Sequence, residues 1–287
     1  MIIIIALGVL CLIFFIENAR ELRTFRIRTY RISSHKLNGI QKKRIVFLSD
    51  LHNCSYGKKN GRLLAAVRKS RPDLILIGGD MLVRKDGSSY AETLQFLTRL
   101  TAMCPVYYAN GNHEQKLKEM PERYEQSYSA YKKKLEEAGI IFLENEAVIW
   151  KPEGVRIRIS GLEIPLPAYG KVGRKRLRIR EIEERIGRAD PSYQILLAHN
   201  PVYVKQYEDW GADLILSGHV HGGLIGLPGI GGLIAPDFRL FPAYSGGIYR
   251  DPKADVVVSR GLGVHSVPIR FLNPAEVVVL ELTGLDR

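Results

Sequence analysis

The stretch DLILSGHVHGG (213–223) carries an apolar run to Ser217–Gly218 and then presents His219 and His221 two positions apart. Asp50 and His52 share that spacing at the end of RIVFLSDLH (44–52). DLILIGGD (73–80) ends in Asp80, and PVYYANGNHE (105–114) ends in Asn112, His113 and Glu114. YQILLAHNP (193–201) reaches His199 and Asn200. Of the chain's seven histidines, only His35 and His265 lie outside these run ends. One such histidine is unremarkable in a core; five, joined by two aspartates and an asparagine amide, form a nitrogen and oxygen donor set. No thiolate accompanies it, because Cys11, Cys54 and Cys104 are scattered. Such donors suit Mn²⁺, Fe²⁺/³⁺, Zn²⁺ or Mg²⁺ rather than an iron–sulfur or structural zinc centre. About seven ligands exceed the needs of one metal. Two ions about 3.5–4 Å apart, bridged by one carboxylate, would use them, activate a bridging hydroxide and clamp a phosphoryl group for in-line attack.

The elements that must position these residues follow from the runs themselves. Each is short, rich in Val, Ile, Leu or Tyr, and bounded by glycine or polar residues, the pattern of a strand buried on both faces. Helical patterns separate them at 60–70, 89–103 and 121–139, the last with Pro121 near its start and Gly139 at its end. Strands alternating with helices specify an α/β protein. In such sheets ligands gather at the carboxyl ends of the strands. There, Asp-x-His and His-x-His each set two side chains on one side of an extended chain. Segment 144–163 reads as a β-hairpin turning near Pro152–Gly154, and ADVVVSRGLG and AEVVVLEL supply further strands near the C-terminus. The expected architecture is two sheets face to face with helices outside. Segment 173–187 reads as a surface helix of mixed charge.

The chain has 287 residues, ordinary for one large domain plus an appendage. Met1–Ile16 contains no charged side chain. At about 1.5 Å per residue it spans roughly 24 Å, slightly short of a bilayer core and within reach of snorkelling flanks. No basic stretch precedes the run and FFIENAR is a poor cleavage site, so a retained anchor is expected rather than a cleaved signal. Residues 17–44 then carry nine Lys or Arg against Glu17 and Glu21, a net +7 of the chain's +12. Such a collar stays on the cytoplasmic side and attracts anionic lipid. A nucleic-acid partner is not expected, because the basic excess lies beside the anchor and is not interleaved with aromatics along a groove.

The order D-x-H, GGD, GNHE, HNP and GHVHGG resembles the calcineurin-like metallophosphoesterases. YSGGIYR, VVVSRGLG and VPIRFLNPAEVVVLEL resemble its bacterial, membrane-associated YkuE/YaeI-like branch. The resemblance implies a two-sheet β-sandwich flanked by helices, an α/β four-layer fold. With the apolar run and basic collar before it, the chain is expected to divide into an N-terminal membrane anchor (1–20), a basic juxtamembrane linker (21–43) and a metallophosphoesterase domain (44–287). The resemblance implies two divalent ions, Mn²⁺ foremost. One would be held by Asp50, His52, Asp80 and His221, the other by Asp80, Asn112, His199 and His219, with Asp80 as the bridge. His113 would be the acid at the leaving group or stabilise the phosphate; Glu114 would orient His113 or be a surface or capping carboxylate. Related proteins often carry Gln after the last Gly-Gly; Leu224 stands here, which alters substrate contacts and spares the metal set.

The implied reaction is hydrolysis of a phosphodiester or pyrophosphate, phosphodiesters ahead of monoesters, on a substrate at the bilayer. A UDP-2,3-diacylglucosamine-type pyrophosphate hydrolase of lipid A synthesis is one alternative, and a non-catalytic metal-holding membrane scaffold is another. Tyr56, Lys58 and Lys59 follow the first metal motif and offer either a phosphate cradle or an exposed loop. Membrane lipids and the phosphoester substrate are the expected partners. The expected location is the cell membrane, with the catalytic domain in the cytoplasm.

Overall fold

The computed structural model describes residues 1–84, 89–124, 127–170, 175–227, 231–234, 240–264 and 267–285. Helix α1 (Ile2–Glu21) leads into β1 (Phe25–Ser34) and β2 (Lys43–Leu48). Then come α2 (Gly61–Lys69), β3 (Leu74–Ile77), α3 (Ala91–Thr98), β4 (Val106–Tyr108), α4 (Asn112–Glu119), α5 (Tyr128–Glu137) and β5 (Ile140–Phe142). The hairpin β6 (Glu146–Trp150) and β7 (Ile157–Leu162) follows, turning through Pro152–Gly154 as the sequence indicates. The chain continues through α6 (Ile179–Ile186), β8 (Tyr193–Ala198), α7 (Val204–Trp210) and β9 (Leu214–Ser217). It closes with the small pair β10 (Ile225–Leu227) and β11 (Gly231–Ile234), then β12 (Gly247–Arg250), β13 (Asp255–Val258) and β14 (Ala275–Gly284).

Two six-stranded sheets result, ordered β1-β14-β2-β3-β4-β5 and β12-β13-β9-β8-β7-β6. Their central strands are parallel, and antiparallel pairs lie at β14–β2, β12–β13 and β6–β7. The period of two along each strand builds the layers. In β2, Ile45 and Phe47 face the second sheet, whereas Val46 and Leu48 face the helices. In β8, Ile195 and Leu197 meet the first sheet, whereas Leu196 and Ala198 pack beneath α6 and α7. Every one of these eight side chains is buried. The α/β sandwich expected from two-sided apolar runs is therefore the observed fold.

Residues 21–43 are not a linker. β1 runs parallel to β14 over ten residues, Phe25 opposite Ala275 to Ser34 opposite Gly284. Its Ile32 and the following Leu37 are fully buried in the inter-sheet core. Arg26, Arg28 and Arg31 point to solvent, so the basic collar is laid along a sheet edge. Charge on an exposed edge blocks pairing with other chains. Deleting residues 1–43 is therefore expected to unfold or aggregate the domain. Loss of two buried aliphatic side chains alone costs about 2–5 kcal/mol each, before the ladder is counted. Deleting residues 1–16 leaves β1 in place. Thermal melts of the two truncations with similar midpoints would contradict this placement.

Three helices are clearly shorter than their patterns, α3 occupying only Ala91–Thr98 of 89–103. α6 begins at Ile179, where the Glu181 carboxylate accepts the Arg178 N–H at 3.0 Å; residues 173 and 174 of the expected helix lie outside the described residues. α5 begins at Tyr128, where the Ser127 hydroxyl accepts the Ala130 N–H at 3.2 Å.

Candidate metal centre

The carboxyl ends of β2, β3 and β4 in one sheet and of β8 and β9 in the other meet at one end of the sandwich. Three donor groups overlap there: Asp50, His52 and His221; His52, Asp80 and His113; Asp80, His199 and His219. Within each group the ligand atoms lie within 4.8 Å of one another. Asp50 Oδ1 is 3.4 Å from His221 Nε2 and 3.8 Å from His199 Nε2. Asp80 Oδ2 is 3.1 Å from His199 Nε2 and 3.9 Å from His52 Nε2. His52 and His221 approach through their Nε2 atoms at 3.1 Å. Asn112 opens α4 beside them, and its buried Oδ1 has no hydrogen-bond partner among the described residues. An unsatisfied buried carbonyl oxygen beside carboxylates and imidazoles fits a cation.

The backbone turns that aim these groups are not extended, contrary to the simple D-x-H and H-x-H reading. Asp50, His52, Asp80, His219 and His221 all adopt positive φ, between 48° and 70°. Such conformations are rare for residues other than glycine and cluster where surrounding structure enforces them for function. Asp50 Oδ1 accepts the His219 N–H at 3.0 Å, and Asp80 Oδ1 accepts the His113 N–H at 2.8 Å. Each aspartate thus spends one oxygen on fixing the neighbouring loop. Gly111 is required where it stands, because a Cβ there would collide with Asp80 Oδ1.

Second partners set the imidazole tautomers. His199 Nδ1 donates to the Gly78 carbonyl at 2.7 Å, and His221 Nδ1 donates to the Gly263 carbonyl at 3.0 Å. Both rings therefore turn Nε2 inward, the atom through which such histidines ligate once it is deprotonated. His113 is wired the other way: its Nδ1 accepts the Arg84 N–H at 3.1 Å, so the neutral ring carries its proton on Nε2.

The electrostatics call for positive charge. Burial pushes the Asp50 carboxyl up, with the Asp80 charge adding to the rise. Burial would also raise Asp80, but the His199, His113 and His52 imidazoles hold it well below the usual carboxylate range. Burial opposes a charged His199, yet Asp80 and Asp50 outweigh it and raise the ring to about 10. Burial, helped by Arg270, drives His221 down to about 3, which keeps it in the neutral, ligating form.

Glu114 caps α4 by accepting the N–H of its N-cap residue Gly111, and no described contact has it orienting His113. It is fully buried and accepts N–H groups from Asp80 at 2.8 Å, Leu82 at 3.0 Å and Gly111 at 3.1 Å, and the Tyr108 hydroxyl at 3.0 Å. It ties the Asp80 turn to α4. Burial, then the Asp80 charge, pushes it up to about 7. Tyr56 is no phosphate cradle either: it is buried, packs against Phe25 and donates its hydroxyl to the Leu262 carbonyl. Lys58 and Lys59 are exposed, and His265 lies outside the described residues. Tyr169, unmarked by any motif, stands with its ring centroid 5.3 Å from His219.

Residues 43–223 match the calcineurin-like phosphoesterase family. The chain is 27% identical over 257 residues to the metallophosphoesterase YkuE of Bacillus subtilis (strain 168), covering 87% of this chain and 82% of YkuE. It is 30% identical over 264 residues to the protein YpbG of the same organism, covering 90% of this chain and 88% of YpbG. To the phosphodiesterase YaeI of Escherichia coli (strain K12) it is 27% identical over 262 residues, covering 90% of this chain and 88% of YaeI.

Proposed function

Because the chain belongs to the calcineurin-like phosphoesterase family, in its YkuE/YaeI-like branch, and is a phosphoric ester hydrolase, we propose that it cleaves a phosphodiester or pyrophosphate bond of a membrane-associated substrate. The observation that carries this reading is the pair of donor groups, Asp50–His52–His221 and Asp80–His199–His219, with Asp80 also reaching His52. Two divalent ions, Mn²⁺ foremost, would be held by Asp50, His52, Asp80 and His221 and by Asp80, Asn112, His199 and His219. When bound, they lower the pKa of a water nucleophile and neutralise charge on the phosphoryl oxygens. The protein's own part is to fix the geometry. Glu114 holds the Asp80 turn. The Gly78 and Gly263 carbonyls hold His199 and His221. His113, through its Nε2–H, would hydrogen-bond the phosphate or the departing oxygen; to act as the acid its ring must first take up a proton at Nδ1 and release the Arg84 N–H. The name phosphodiesterase carried by YaeI supports a diester over a monoester.

The membrane reading rests on α1, which is 20 residues long, has a mean hydropathy of 2.6 and buries nothing in its most apolar window. About 30 Å of helix suits a bilayer core. A signal sequence passes the same test of length and composition. Against cleavage, the base of α1 is built into the domain: Glu21 is buried and Phe14 packs on Phe271 with centroids 5.0 Å apart. Lipid around α1 and along the basic β1 edge would keep the site at the bilayer surface. A cytoplasmic orientation accords with the positive collar.

The test uses full-length protein in detergent, stripped of metal and titrated with Mn²⁺ against bis(p-nitrophenyl) phosphate and p-nitrophenyl phosphate. The expected result is diester hydrolysis that saturates near two ions per chain. Preference for the monoester would redirect the reading to phosphatases, and absence of Mn²⁺ uptake would overturn it.

A further inference from the structure

Taking the metal centre proposed above as given, we infer that the base of the N-terminal helix is part of the apparatus that positions His221. Glu21 Oε2 accepts the backbone N–H of Asn273 at 2.8 Å. Asn18 Oδ1 accepts the backbone N–H of Arg270 at 2.7 Å, and its amide donates to the Pro268 carbonyl at 3.2 Å. The helix thus grips one short loop, 268–273, at three points. The side chains of the same two loop residues then hold His221 from both ends. Asn273 Nδ2 donates to the His221 carbonyl at 2.7 Å and to the Gly223 carbonyl at 2.6 Å. The Arg270 guanidinium donates to the Gly263 carbonyl at 2.7 Å, the same oxygen that receives the His221 Nδ1–H. Asn273 therefore fixes the backbone of His221, and Arg270 fixes the carbonyl that sets its ring.

Burial makes this a rigid path rather than a chance contact. Glu21, Arg270 and Asn273 are 1%, 2% and 0% exposed. Arg270 also donates to the Arg260 and Asn273 carbonyls, so its fork cannot swing without leaving several carbonyls unpaired. A buried carboxylate that loses its N–H partner, or an N–H that loses its carboxylate, pays desolvation without return. Groups that orient a ligand through a hydrogen bond typically govern about 10–100-fold in metal affinity. Glu21 and Asn18 are positioning residues of this kind, one step further out. They join the segment that meets the bilayer to the loop that sets His221.

The experiment titrates Mn²⁺ by calorimetry into metal-stripped, full-length protein in detergent micelles. His221→Ala and His219→Ala first assign which binding step belongs to which half of the centre. Glu21→Ala is then expected to weaken the His221 step about tenfold or more and leave the His219 step unchanged. Glu21→Gln, which keeps an acceptor oxygen for the Asn273 N–H, should restore it. Asn18 is only half-buried, so Asn18→Ala leaves no large cavity and keeps the test readable if Glu21→Ala does not fold; it should weaken the same step by less. Unchanged affinity in Glu21→Ala, or in Asn18→Ala where Glu21→Ala cannot be prepared, overturns the role. So does equal weakening of both steps with a lowered melting temperature of the metal-free protein, the mark of general destabilisation. Wild-type protein that binds no Mn²⁺ overturns the metal centre itself, and this role with it.

Discussion

Asp80→Ala is expected to strip both metals from the protein and to lower phosphoesterase activity by about 10⁴-fold or more, the scale on which losing one member of an interdependent catalytic unit acts. Asp80 takes part in two of the three overlapping donor groups, and one of its oxygens also fixes the His113 backbone. Removing it takes from His199 the nearer of the two carboxylates that face both His199 and His52. Asp50 is a poor substitute, because it already serves the other donor group and stands 3.8 Å from His199 Nε2 against 3.1 Å for Asp80. The metal-free protein should suffer to a smaller extent. Two buried carboxylates repel, and Asp50 is already pushed up partly by Asp80. Against that relief, the His199, His113 and His52 imidazoles hold the Asp80 carboxyl well below the usual range, so its loss removes a favourable charge; the melting temperature without metal should fall modestly, while the increase that Mn²⁺ gives the wild type should vanish. Metal analysis after gel filtration decides the matter: two ions retained per chain would show that Asp80 does not bridge.

Much of this centre is legible in the sequence for a simple reason. A parallel strand buried on both faces must be an apolar run, and its ligands must follow it directly, so Asp50, Asp80, His199 and the 219–221 pair are marked by where the runs stop. The local conformation is not legible in the same way. Spacing within an extended chain would put Asp50 and His52 on one side, whereas both residues sit in left-handed turns that only the assembled loops enforce. Glu114 follows the same logic: its sequence position beside His113 suggests that histidine as its partner, yet its bonds run to Asp80 and Leu82, more than thirty residues away. β1 was hidden differently. FRIRTYRI alternates apolar and basic residues as an edge strand does, but its charges follow an apolar helix and read as a lipid collar. Its partner, β14, lies some 250 residues further on. Nothing periodic marks Asn273 or Arg270 either, because each works from an irregular loop through single hydrogen bonds.

His113→Ala is expected to keep both metals and to slow turnover by about 10²–10⁴, the usual worth of a positioned general acid. The structure separates this histidine from its neighbours by its wiring. The backbone N–H of Arg84 occupies Nδ1, which puts the proton of the neutral ring on Nε2, the opposite arrangement to His199 and His221. A ring that presents N–H is suited to hydrogen-bond a phosphate or leaving oxygen rather than to bind a cation; it becomes an acid once Nδ1 takes up a proton and releases the Arg84 N–H. The size of the loss should therefore depend on the leaving group. p-Nitrophenolate departs readily without a proton, so bis(p-nitrophenyl) phosphate should report the lower end of the range. A diester that releases an alkoxide needs the proton more and should report the upper end. His113→Gln keeps an N–H donor without an acid's proton, so it should recover any part that is only electrostatic stabilisation of the phosphate. Equal losses on both substrates, recovered by glutamine, would assign His113 to stabilising the phosphate. Wild-type rates in His113→Ala would remove it from the reaction altogether.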